Sequence, residues 1–189
     1  MNVGASSETD YGLYFQWGDT QGYTASQVGS GEGQKYFGWA DYKFNPSGDG
    51  STFTKYTGTD GKTVLDLEDD AARANWGGEW RMPTTEELQA LGQAVNAVWT
   101  TNYNGSGVDG LLCTDKTVSS KKLFFPAAGY AYNGSMLVVG VGGGVWSSSL
   151  SSGSVSYAWN LYFDGGGTYW GNDSNRYNGF SVRGVLNEA

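Results

Sequence analysis

The chain has 189 residues, enough for one domain with a well-buried core, and its 15% aromatic content is foreign to disordered polymers. A formal net charge of −8 argues against phosphate backbones and anionic lipid surfaces as partners, so neither nucleic-acid binding nor membrane insertion is expected. Histidine is absent, which removes the commonest general base and the commonest transition-metal ligand and excludes Ser-His-Asp or Cys-His catalysis and any histidine-built zinc site.

The first stretch, MNVGASSETDYG, has neither the basic start nor the apolar run of a secretory leader, and no later run approaches the roughly 20 apolar residues that span a bilayer. YGLYFQWGDTQGYTA (11–25) alternates aromatic with polar residues and turns at Gly18-Asp19, which predicts a short strand and a loop. Residues 26–63 scatter Tyr36, Phe37, Trp39, Tyr42, Phe44 and Phe53 between the turn sequences NPSGDGS and TGTDGK, predicting an irregular region pinned by its aromatics. DDAARANW (69–76) reads as a helix with Asp69 as N-cap, Asp70 at the positive helix end, and Gly77-Gly78 as the stop. WRMPTTEELQALGQAVNAVW (80–99) holds a second helix. Its Thr84 and Glu87 make a capping box, and Leu88, Leu91, Val95 and Val98 form one apolar stripe.

From Gly110 the pattern turns to strands: GLLCT (110–114), segments within KLFFPAAGYAY (122–132) with Pro126 at an edge or strand end, and FSVRGVL (180–186). Val155, Tyr157, Trp159, Leu161 and Phe163 alternate with Ser156, Ala158, Asn160 and Tyr162, the period of a strand with two distinct faces. Two central helices flanked by short strands predict an α+β domain spanning 1–189. The lone Cys113 forms no internal disulfide and reads as a small buried hydrophobe.

DDAARANWGGEWRMPTTEELQAL resembles the helix, Arg-Leu-Pro-Thr and helix core of the formylglycine-generating-enzyme (sulfatase-modifying factor) superfamily, with matches at Asp70, Ala71, Trp76, Arg81, Pro83, Thr84 and Glu87. NVGASSETDYGLYFQWGDT, WGGEWRMPT, FFPAAGY, VWSSS and GFSVRGV, in that order, resemble the Fibrobacter succinogenes major paralogous domain of gut Bacteroidales. The resemblance covers nearly the whole chain and implies a C-type-lectin-like fold of the formylglycine-generating-enzyme type. Met1-Asn2-Val3-Gly4 begins where that pattern is normally under way, which implies a truncation upstream. The order FPAAGY, WSSS, A-x-x-L-x-F and GFSVR is also similar to variable proteins of diversity-generating retroelements, often phage-borne, in which copying at template adenines varies selected codons. That resemblance implies a scaffold over 1–129 and a variable, ligand-facing region over 130–183, with an extracellular, cell-surface or virion location.

The superfamily's oxidases need paired active-site cysteines and its oxygenases need histidines, so the chain is expected to be non-catalytic. Asp66, Glu68, Asp69 and Asp70 form the densest carboxylate cluster, suited in principle to calcium, but no EF-hand pattern is present and helix capping accounts for two of the four. Trp170-Gly171-Asn172-Asp173 resembles the calcium-binding Trp-Asn-Asp of classical C-type lectins with a glycine interrupting it, and its Glu-Pro-Asn partner is missing. No cofactor is expected.

Between Tyr130 and Arg183 there is no Lys or Glu, and Tyr, Trp, Ser, Gly and Asn dominate, the composition of antibody-like contact surfaces. Residues between the framework segments are therefore the expected ligand contacts: Tyr132, Met136, Val138, Val141, Val145, Trp159, Asn160, Tyr162, Asp164, Thr168, Tyr169, Trp170, Asp173 and Tyr177. Leu161, Phe163, Trp146 and Phe180 are expected in the core, and Arg176 and Arg183 in internal hydrogen bonds or ion pairs. The expected partner is a protein or glycan receptor on a cell surface. Two other readings stand beside this one: a surface or fimbria-associated structural domain, and a lectin-like carbohydrate-binding module with Trp and Tyr platforms.

Overall fold

Asp70 starts the first helix in the computed structural model, which describes residues 1–187. Its carboxylate accepts from the Arg73 amide at 3.0 Å and caps α1 (Ala71–Trp76), one residue later than the sequence suggested. Asp69 is unavailable because its carboxylate takes Lys43, Lys55 and the Tyr56 hydroxyl. Gly77, at φ 68°, ends α1 in the left-handed region that glycine enters without strain.

After β1 (Trp80–Arg81), α2 (Thr85–Ala94) begins with the expected reciprocal cap. Thr84 Oγ1 accepts from the Glu87 amide at 3.3 Å and Glu87 accepts from the Thr84 amide at 2.8 Å. The helix stops at Ala94, short of the expected Trp99. Val95–Thr100 is β2, paired residue for residue with β3 (Gly110–Asp115) from Val95↔Asp115 to Thr100↔Gly110. Val98 is consequently exposed instead of completing a helical stripe. Val-Asn-Ala-Val-Trp-Thr is rich in strand formers, and the ladder overrides a helical spacing that Leu88 and Leu91 had begun.

β4 (Lys122–Pro126) completes this antiparallel sheet, with Pro126 at a strand end on its edge as expected. β5 (Tyr130–Tyr132) and β6 (Ser135–Leu137) form a hairpin whose Asn133-Gly134 turn has positive φ at both residues, the demand that Asn-Gly meets. β7 (Gly142–Leu150), β8 (Tyr157–Asp164) and β9 (Gly167–Asn175) make a three-stranded antiparallel meander. Every residue of β7 is buried, because its outer edge meets Gly129, Ser181 and Val64 through single bridges. The expected C-terminal strand is reduced to bridges at Phe180 and Ser181 and to β10 (Val185–Leu186) on β1. The expected N-terminal strand is likewise reduced to bridges at Tyr14 and Phe15.

The chain is thus α+β, with two helices and mostly antiparallel strands. One core layer joins Trp17, Tyr42, Tyr56, Trp146 and Phe180. A second, between α2 and the two three-stranded sheets, joins Leu88, Leu111, Phe125, Leu161 and Phe163. The irregular 26–63 region contributes Tyr42, Phe44 and Tyr56 to the first layer, so its aromatics do pin it. Cys113 lies in the second layer, where burial pushes its thiol up to about 12. Among the described residues no helix is long and apolar enough to cross a membrane.

Candidate binding surface

Strand periodicity divides β8 into two faces. Trp159, Leu161 and Phe163 point toward α2, while Ala158, Asn160 and Tyr162 point away from it. On β9, Tyr169 lies opposite Tyr162, Asn172 opposite Asn160 and Ser174 opposite Ala158. Tyr169 and Asn172 are three positions apart and share a face only because the register shifts between them, a bulge that holds Trp170 and Gly171. The glycine that interrupts the lectin-like motif is part of this bulge.

The face away from α2 carries a linked polar row. Asn160 Nδ2 donates to Ser174 Oγ at 3.1 Å, and Asn172 Nδ2 donates to Asn160 Oδ1 at 3.1 Å. Beside it lies a shallow cleft of about 190 Å³ lined by Tyr130, Tyr162, Asn172, Ser174, Asn178 and Phe180. Asn178 is buried, and its side-chain carbonyl has no hydrogen-bond donor among the described residues. The Tyr162 and Tyr169 rings stand 6.3 Å apart at the rim, tilted by 33°. Burial, and then the nearby Asp164, raise the Tyr162 phenol above its ordinary value, so it stays a neutral donor and acceptor.

Of the fourteen expected contacts, Tyr132, Val138, Val141 and Tyr169 are exposed. Met136, Trp159, Tyr162, Asp164, Thr168, Trp170 and Asp173 are half-buried. Three expectations are corrected. Val145 lies opposite Leu161 in the layer beneath α2 and is buried there. Asn160 is at 0% exposure and supports Asn172 and Ser174 from below. Tyr177 is buried against Trp39, whose ring meets it edge-on at 4.7 Å, although Tyr132 covers it from the exposed side.

The half-buried set is also not one surface. Trp170 packs over Gly92 of α2, and Asp173 accepts from Ser151 Oγ at 2.7 Å. Asp164 accepts from the Gly166 and Gly167 amides and so shapes the β8–β9 turn. Trp159 borders a separate pocket of about 400 Å³ with Thr85, Glu86, Gln89, Ser149 and Ser151. Val138, Val139 and Val141 form an exposed apolar loop tip before β7, with Val138 at φ 50°, a conformation β-branched residues rarely accept.

Sequence reasoning missed Tyr130, Asn172, Ser174 and Asn178. The period-two spacing of Asn172 and Ser174 was the available signal, but the bulge that aligns them with Tyr169 was not visible. Asn172 and Asp173 point to opposite faces of β9, where Asn172 donates to Asn160 and Asp173 accepts from Ser151 Oγ. In the acidic cluster, the Lys55 ammonium lies 2.5–2.7 Å from carboxylate oxygens of Asp66, Glu68 and Asp69, the place a bound cation would take. Comparisons with family models, with curated proteins and with solved structures find no match for this chain.

Proposed function

We propose that this chain is a non-catalytic ligand-binding domain of the C-type-lectin-like, formylglycine-generating-enzyme type, with a diversified face that meets a receptor outside the cell. The observation that carries the reading is the sorting of side chains along β8 and β9. Ala158, Asn160, Leu161 and Phe163 are buried, while Tyr162, Tyr169, Asn172 and Ser174 line a face above the paired Asn160 amide. Tyrosines there give large contact area with few rotamers to freeze, and the Asn and Ser side chains add adaptable hydrogen bonds. Exchanging either tyrosine leaves the core beneath untouched, as repeated diversification requires, whereas a replacement at Asn172 or Ser174 must still pair with the buried Asn160 amide. The domain's partner is a protein or glycan receptor at a cell surface, and its place is a phage virion or bacterial envelope.

Sequencing the encoding locus tests this. A nearby reverse transcriptase gene should accompany a template repeat whose adenine differences fall on the codons of Tyr162, Tyr169, Asn172 and Ser174 and spare Ala158, Leu161 and Phe163. A locus without such a repeat overturns the claim of diversification.

A carbohydrate-binding role has one observation of its own, the Trp159 pocket, where an indole wall faces polar groups and the Thr85 hydroxyl has no partner among the described residues. A glycan array with Trp159→Ser as control separates it: glycan hits lost in that variant favour the sugar platform, and an array without hits removes it.

A further inference from the structure

We propose that the cavity between α2, β4 and the C-terminal segment binds a small amphipathic carboxylate, its apolar tail among Leu88, Leu91, Leu123, Phe125 and Val145 and its charge on Arg183. The cavity encloses about 340 Å³, within the roughly 300–1,000 Å³ of small-molecule sites, and its walls are chiefly apolar. It lies on the α2 side of the β7–β8–β9 sheet, so the proposal is independent of the tyrosine face.

Arg183 makes this cavity more than a packing defect. The residue is 8% exposed, with its guanidinium 4.8 Å from the Phe125 ring centroid. One hydrogen bond engages it, from Nη1 to the Phe124 carbonyl at 2.6 Å, although a guanidinium carries five N–H donors. Among the described residues no carboxylate forms an ion pair with it. Burial lowers its pKa to about 10, which still leaves it charged at neutral pH.

Arg176, the other deeply buried arginine, shows the contrast. It donates to the Tyr42 hydroxyl and to the Tyr56, Val155 and Lys55 carbonyls, so all three of its nitrogens are engaged. Glu8 lies within electrostatic reach of Arg183 without forming an ion pair, and a bound carboxylate offers the planar two-oxygen match that the guanidinium favours. The Met1 ammonium borders the same cavity within electrostatic reach of Arg183 and adds to its preference for an anion, while the remaining walls are chiefly apolar and suit a hydrocarbon tail. Glu87 also borders the cavity, but Arg81 holds both its oxygens, at 2.6 and 2.7 Å.

Calorimetric titration of the whole chain with octanoate, 1-octanol and octylamine tests the proposal. Octanoate should bind once per chain, at least tenfold tighter than octanol, and octylamine should not bind. Leu91→Trp, which fills the cavity, should abolish uptake while the chain stays folded, and Arg183→Gln should bring octanoate and octanol to equal affinity. Tyr162→Ser with Tyr169→Ser should leave octanoate binding unchanged. Octanol binding as tightly as octanoate, no saturable octanoate uptake, or wild-type uptake by Leu91→Trp would each overturn the site. If Arg183→Gln does not fold, the ligand series and Leu91→Trp decide alone.

Discussion

Asn160 and Tyr177 show how far residue type can mislead. Both belong to types common on contact surfaces, and both are buried because a neighbour satisfies their polar end or covers their ring. Composition reveals that a region is suited to contact, while the identity of the touching residues depends on what lies behind each one. Arg176 was read correctly as internal, since fully buried guanidinium needs acceptors and finds three carbonyls and a hydroxyl. Arg176→Lys, with fewer donors in the wrong geometry, should lower unfolding free energy by about 2–4 kcal/mol in urea denaturation. Cys113 combines 1% exposure with a thiol raised to about 12, so an aromatic disulfide reagent at pH 8 should modify it only at the rate of unfolding. Rapid labelling of the native protein would contradict its place in the core.

The elements best read from sequence are those whose signal is local. The Thr84–Glu87 box, the Gly77 stop and the alternation along β8 need only neighbours within a few residues. The conversion of Val95–Thr100 from helix to strand depends on β3, which lies ten or more residues away, and no local spacing announces it. The bulge at Trp170-Gly171 is invisible for the same reason, because a bulge exists only relative to a partner strand. α2 supplies a prediction in which two effects compete. Gly92→Ala should gain up to about 1 kcal/mol of helix propensity, but the new Cβ would stand 2.6 Å from Trp170 Cγ, near the root of a side chain that cannot swing clear. The clash should win, with a net loss of about 1–3 kcal/mol measured as a lower Tm, whereas a higher Tm would show that Trp170 is free to move.

Across the whole molecule, α+β character and the list of buried framework residues were legible, because both follow from summed patterns. The division of the expected surface into a tyrosine face, a Trp159 pocket and a valine tip was not, since it is decided by which sheet face α2 covers. Charge gives a global test. Burial alone would raise Asp69, but Lys43, Lys55 and the Tyr56 hydroxyl outweigh it, and Arg81 chiefly holds Glu87 down, so both carboxyls sit below their ordinary 3.8 and 4.5. A depressed folded pKa stabilises fully above the unfolded value and loses that contribution as pH falls through the folded one. Asp70, raised by burial, works in the opposite sense. Thermal stability should therefore fall as pH drops below about 4, and Asp69→Asn should flatten that acid limb.

The central claim, that the face of Tyr162 and Tyr169 is made for contact rather than for packing, is tested most directly by adhesion of the chain to a panel of cell surfaces, compared between wild type and Tyr162→Ser with Tyr169→Ser. The account predicts that adhesion falls by about thirtyfold, the effect of losing roughly 2 kcal/mol of anchor contacts, while Tm is unchanged. Unchanged adhesion together with a lowered Tm would contradict it and make the two tyrosines part of a structural domain.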